Sequence, residues 1–162
     1  MPSLVGHAAE RESAYRPMRT YTATTTSSAR PEAVLEILTD PDAVARWAPV
    51  EFYVDELTHP RLASGSRARV SGRLGGQEIG FEVEVHRADV AGLALSARGP
   101  VTLDVAYELR AADRGSEVSA SIAVLPRRGL RARLLAEATA AVLAGGALQH
   151  ALGRIVALAA AA

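Results

Sequence analysis

RARVSGRLGGQEIGFEVEV, residues 67–85, is the stretch whose reading decides the fold. With Gly75-Gly76 as a two-residue turn, residues placed symmetrically about it face each other across an antiparallel pair. Arg73 then opposes Glu78, Arg69 opposes Glu82 and Arg67 opposes Glu84, all on one face. The other face pairs Gly72 with Ile79, Val70 with Phe81 and Ala68 with Val83. An exposed opposite-charge pair contributes only about 0.2–1 kcal/mol, so the weight lies in one turn sorting every residue at once. A slip of one position would bury the arginines and glutamates. The segment reads as a hairpin with a charged outer face and an apolar inner one.

The same period of two runs on in both directions. VTLDVAYEL and SEVSASIAV form a second hairpin across RAADRG. Val101, Leu103, Val105, Tyr107 and Leu109 point one way with Val118, Ala120, Ile122 and Val124, while Thr102, Asp104, Ala106 and Glu108 point the other. EFYVDEL and GLALSAR are the remaining strands of this run, with parity left undecided, and MRTYTATTTSS reads as the first strand. Between the first strand and the rest lies SSARPEAVLEILTDPDAVARW. Ser28 is read as a helix N-cap, with Pro31 and Glu32 in the first turn and Val34, Leu35 and Leu38 as the buried stripe. Asp40-Pro41 ends that helix, because a residue before proline avoids the α region. Asp40 then caps a second, shorter helix that begins at Pro41 and ends at Trp47, the only tryptophan. The chain finishes in a long helix, about 130–159, whose apolar face is read as Leu134, Ala138, Ala141, Gly145, Leu148, Leu152 and Ile155. Gly145-Gly146 in its middle costs about 1 kcal/mol per glycine relative to alanine, so a compensation is expected there. The small residues either leave room for a ligand or let helix and sheet approach closely.

At 162 residues the chain is read as one domain, residues 18–162, preceded by a poorly ordered tail, residues 1–17. The tail lacks the basic and apolar regions of a secretory signal. Charge is balanced, with 18 Lys+Arg against 18 Asp+Glu, so nucleic acid is not an expected partner. Absence of cysteine removes thiol nucleophiles and Cys-ligated metals, and absence of lysine removes Schiff-base chemistry. The four histidines, His7, His59, His86 and His150, have no ligand spacing, so no metal or other cofactor is expected. Glu137 and Arg154 bracket 16 uncharged residues, 138–153, fewer than the roughly 20 that a spanning helix needs. A cytoplasmic protein without stable membrane insertion is expected, monomeric or weakly dimeric. The Ala/Arg-rich, lysine-free composition suggests a GC-rich bacterial genome.

The order of elements is a strand, two short helices, about six antiparallel strands and one long helix. In that order, residues 27–49, SSARPEAVLEILTDPDAVARWAP, resemble the opening signature of the START-like superfamily (SRPBCC, Bet v 1-type), in its polyketide cyclase/dehydrase and lipid-transport branch. SGS at 64–66 and RGS at 114–116 resemble that family's turns before strands. The resemblance implies an α+β helix-grip fold: a curved antiparallel sheet of about seven strands wrapped around a long C-terminal helix, with two short helices between strands 1 and 2. It implies that the short helices form a V closing one end of the sheet. Trp47 would plug the junction, either as packing alone or also touching a ligand.

An internal cavity for a hydrophobic small molecule is expected where the two hairpins place Val70, Phe81, Val83, Leu103, Val105, Tyr107 and Ile122 opposite Leu134, Ala138, Ala141 and Gly145, although inner faces this apolar suit a solid core as well. Tyr107 alone among these has a polar handle. A polyketide-like metabolite, lipid or quinone would suit such a surface, with the protein as carrier, sequestering or self-resistance protein in secondary metabolism. The alternative is an aromatase/cyclase that works by orienting a polyketide, with Tyr107 and Arg98 assisting, although Arg98 matches no particular family position. A further alternative is a scaffold with a filled core. His86 and Asp104 fall on the charged face, Glu56 has uncertain parity, and no converging acid–base pair or Ser-His-Asp set can be assembled.

Overall fold

The computed structural model describes residues 19–49, 52–74, 76–125 and 127–162. The N-terminal tail read at residues 1–17 and the turn residue Gly75 lie outside the described residues. The elements run β1 (Arg19–Ser27), α1 (Pro31–Thr39), α2 (Pro41–Trp47), β2 (Phe52–Leu57), β3 (Arg67–Leu74), β4 (Gln77–Asp89), β5 (Gly92–Arg98), β6 (Thr102–Ala112), β7 (Gly115–Leu125), α3 (Leu130–Ala144) and α4 (Ala147–Ala161). The strands form one seven-stranded antiparallel sheet in the order β1-β7-β6-β5-β4-β3-β2, an α+β architecture of helix-grip type.

The register of β3 against β4 is the one read from the sequence. Arg67 faces Glu84, Val70 faces Phe81 and Arg73 faces Glu78. Among the described residues, however, the ion pairs are Arg19–Glu137 at 3.3 Å and Arg87–Asp89 at 3.9 Å, so the facing charges of this hairpin keep to solvent. In the second hairpin Leu103 faces Val124, Val105 faces Ile122 and Tyr107 faces Ala120. The undecided parity of β2 has a physical cause. A bulge between Val54 and Glu56 lets Phe52, Val54 and Leu57 all turn inward, and a bulge breaks alternation by one residue.

Two expectations about helices are corrected. Ser28 does not cap α1: the cap position is Arg30, without a side-chain bond, and the Ser27 hydroxyl accepts the Ala29 amide at 3.0 Å. Proline at the first helical position sets this register, because the cap must be the residue just before it. Asp40 does cap α2, accepting from the Asp42 amide at 3.0 Å.

The long C-terminal helix is in fact two, α3 and α4, bent by 58° at Gly145-Gly146. Gly146 lies in the left-handed region at φ +90, and its amide donates to the Leu143 carbonyl at 3.2 Å, a glycine C′ ending. The apolar phase carried across this break is wrong for α3. Leu134 is 62 % exposed, Ala141 and Gly145 are exposed and Ala138 is only half-buried, while Leu135, Ala136, Thr139 and Leu143 turn inward. Beyond the break Leu148, Leu152 and Ile155 are buried as expected. No single helix among the described residues is long and apolar enough to cross a membrane.

The two halves of the bent pair do different work. Helix α4 packs on β1, α1 and α2 with fully buried Leu152 and Ile155, so that end is solid. Helix α3 touches β1 and β7 on one side and β3 on the other. It spans the sheet as a roof.

Candidate functional site

Under that roof the molecule is hollow. A cavity of about 120 Å³ opens between α3, the end of α2 and the inner faces of β2 to β7. Trp47 comes from α2; Phe52 and Val54 from β2; Ala68 and Val70 from β3; Phe81 and Val83 from β4; Leu93, Leu95 and Ala97 from β5; Leu103, Val105 and Tyr107 from β6; Ile122 from β7; Thr139 and Leu143 from α3. The strict alternation of the strands does this, since every second residue of a strand shares a face. The structure thus brings together Trp47, Val70, Phe81, Val83, Leu103, Val105, Tyr107 and Ile122. It leaves Leu134, Ala138, Ala141 and Gly145 outside the lining, and Thr139 and Leu143 face the cavity in their place. The Gly-Gly pair is the signal that finds them: read as a helix end, it frees α3 to take its own phase.

Trp47 is 6 % exposed and joins three parts of the wall. Its indole N–H donates to the Ile37 carbonyl at 3.2 Å, which ties α2 to the end of α1. Its ring meets Tyr107 edge-on, with centroids 5.5 Å apart and planes at 81°. Its carbonyl and that of Ala48 accept from the Arg154 guanidinium of α4 at 3.2 and 3.0 Å. Phe52 and Phe81 make a second edge-on pair at 5.6 Å.

Polar side chains in the lining are few, and all but one are engaged. The Thr139 hydroxyl donates within its own helix to Leu135 at 2.8 Å, and the Trp47 indole is used as described. Tyr107, 2 % exposed, has no hydrogen-bond partner for its hydroxyl among the described residues. Burial pushes its phenol well above the ordinary 10.0, and the nearby Arg154 charge only partly offsets this. The group is therefore a neutral donor throughout the ordinary pH range. The hydroxyl borders the cavity rather than lying fully enclosed, so leaving this donor without a protein partner costs at most about 1–3 kcal/mol. Tyr107→Phe is accordingly expected to raise the stability of the ligand-free protein by about 1 kcal/mol and its Tm by about 2–4 °C. An unchanged or lower Tm in a thermal melt would show that the hydroxyl already has a partner. The folded state also holds this proton more tightly than the unfolded one. Stability is thus independent of this group below about pH 10 and falls as pH rises further.

The other candidates lie outside. Because Ala97 points inward, Arg98 points outward, facing Glu82 and Thr102 across the sheet. Arg98 and Tyr107 are on opposite faces and cannot act on one substrate. Glu56 is also outside and exposed. Sequence reasoning found no Ser-His-Asp set, yet His86, Ser96 and Asp104 do meet on the outer face. The Ser96 hydroxyl donates to Asp104 at 2.8 Å, and His86 Nε2 lies 2.7 Å from it. Serine sits in the middle with its proton turned to the carboxylate, which reverses the order a nucleophilic triad needs. Among the described residues there is no group of three or more His, Cys, Asp and Glu that fits a metal ion. The lining itself carries no carboxylate or imidazole.

Known proteins of this shape agree on the fold. The protein TTHA0849 from Thermus thermophilus superposes with a TM-score of 0.67 at 16% identity, over 88% of this chain and 98% of that one. The Zhui aromatase/cyclase from Streptomyces sp. R1128 gives 0.63 at 18% identity, over 86% and 94%. Ara h 8.0201 gives 0.55 at 14% identity, over 87% and 99%. At such identities the likeness is one of fold alone. No functionally curated protein matches the sequence. The family model described as polyketide cyclase / dehydrase and lipid transport matches residues 18–160, and the chain, with its START-like sheet and helices, belongs to that family.

Proposed function

We propose that the protein binds a small hydrophobic molecule in the cavity beneath α3 and acts as its carrier or sequestering protein. One observation carries this: the walls are apolar on every side, and their side chains do not meet across the space between them. An empty cavity costs about 24 cal/mol per Å³, so one of about 120 Å³ costs about 3 kcal/mol. That is a large fraction of the roughly 5–15 kcal/mol by which domains are stable. A ligand recovers the loss, and a protein without one has no reason to bear it. Catalysis as a cyclase needs at least a second polar group converging on the substrate, and the lining offers Tyr107 alone.

The test is native mass spectrometry of the purified protein, organic extraction of what co-purifies, and titration with a dye that fluoresces in apolar surroundings. A bound apolar metabolite or saturable dye uptake is expected. Ala97→Leu and Val105→Phe, which put new atoms into the cavity, are expected to cut dye affinity at least tenfold while the protein stays folded. A clean mass with no dye uptake would favour the scaffold with a filled core.

A further inference from the structure

Granting the binding reading just proposed, we infer that the ligand is a neutral molecule carrying an oxygen acceptor that takes the hydrogen bond of the Tyr107 hydroxyl.

The acceptor follows from the unpaired donor. Buried polar groups almost always have partners, and Tyr107 is buried, faces the cavity and has none among the described residues. Neutrality follows from the rest of the wall. An ionised ligand would be stripped of water with no opposite charge to meet it. The only guanidinium nearby among the described residues, that of Arg154, is already donating to the Trp47 and Ala48 carbonyls.

A matched set of probes tests each part. Cyclohexanone and methylenecyclohexane have nearly the same shape and differ in the acceptor. Cyclohexanecarboxylate adds a charge. Each competes with the apolar dye on the wild-type protein and on Tyr107→Phe, a variant that keeps the ring and its contact with Trp47. Tyr107→Phe is expected to weaken cyclohexanone about three- to tenfold, the size of one neutral hydrogen bond. Methylenecyclohexane should change less than twofold, and the carboxylate should not compete. Equal weakening of both ring probes, or of neither, would remove Tyr107 from recognition while dye binding still upheld the cavity. Competition by the carboxylate as strong as that by cyclohexanone would overturn the neutrality of the ligand. Failure of the dye and every probe would sink the binding reading itself, and this inference with it.

Discussion

Trp47→Ala is expected to destabilise the protein by about 3–5 kcal/mol, the usual range for truncating a buried large aromatic. Three separate losses add up at this residue. Its buried ring surface leaves a hole next to an existing cavity, so the walls have little with which to collapse inward. The edge-on contact with Tyr107 at 5.5 Å disappears, worth about 0.5–1.5 kcal/mol beyond area. The Ile37 carbonyl, which takes the indole hydrogen bond at 3.2 Å, loses its partner at a helix end. Against a total of about 5–15 kcal/mol the variant is marginal at best. Urea unfolding measures it, with Trp47→Phe as the comparison. The smaller change keeps a ring against Tyr107 and is expected to cost about 1–2 kcal/mol. If Trp47→Ala costs less than about 1 kcal/mol, the V of α1 and α2 relaxes independently of the sheet, and Trp47 is not what closes the cavity's end.

The break at Asp40-Pro41 has its reason in the same residue. A straight helix continuing from α1 would carry Trp47 away from β6. Stopping at Asp40, which caps the next helix through the Asp42 amide, turns the chain so that the indole reaches back to Ile37 while the ring meets Tyr107. This part was legible because proline and aspartate act locally. The hairpins were legible for a related reason: one turn fixes the partner of every residue on both strands, and a buried face tolerates no slip. Strand β2 resisted because its bulge sits between Val54 and Glu56, and a bulge spoils the only pattern a short strand has.

The roof helix resisted for a different reason. Helix α3 has apolar residues on both sides, with Leu130 and Leu134 exposed at 73 % and 62 % and Leu135 and Leu143 buried. Period alone does not choose between such faces. A single phase drawn through Leu148 and Leu152 of α4 back to Leu134 crosses a joint at which it is not conserved. Nor was the hollow itself legible. Lists of inward residues do not say whether the helix above them reaches down. That depends on the 58° bend, which lays α4 on β1 and carries α3 over the sheet from β1 and β7 to β3.

Gly92→Ala is the sharper test of how tightly the cavity's wall is built. The residue starts β5 at φ +145, a region that only glycine enters without strain. A methyl group there would run into the backbone oxygen of Tyr107 and sit 3.2 Å from the Cα of Glu108. Neither is the end of a flexible side chain, so β5 and β6 would have to part just where Leu93 faces Tyr107. Backbone strain of about 1–3 kcal/mol and overpacking of a similar size give an expected loss of about 3–5 kcal/mol. Gly153→Ala is its counterpart: Gly153 is exposed within α4, with nothing within 4 Å of the added carbon. There the same substitution should stabilise by about 0.5–1 kcal/mol through helix propensity. The same change in two places thus has opposite expected signs, and denaturant melts of both variants decide it. Should Gly92→Ala prove as harmless as Gly153→Ala, β5 and β6 are not held at the spacing described, and Tyr107 is not fixed well enough to select a ligand by one hydrogen bond.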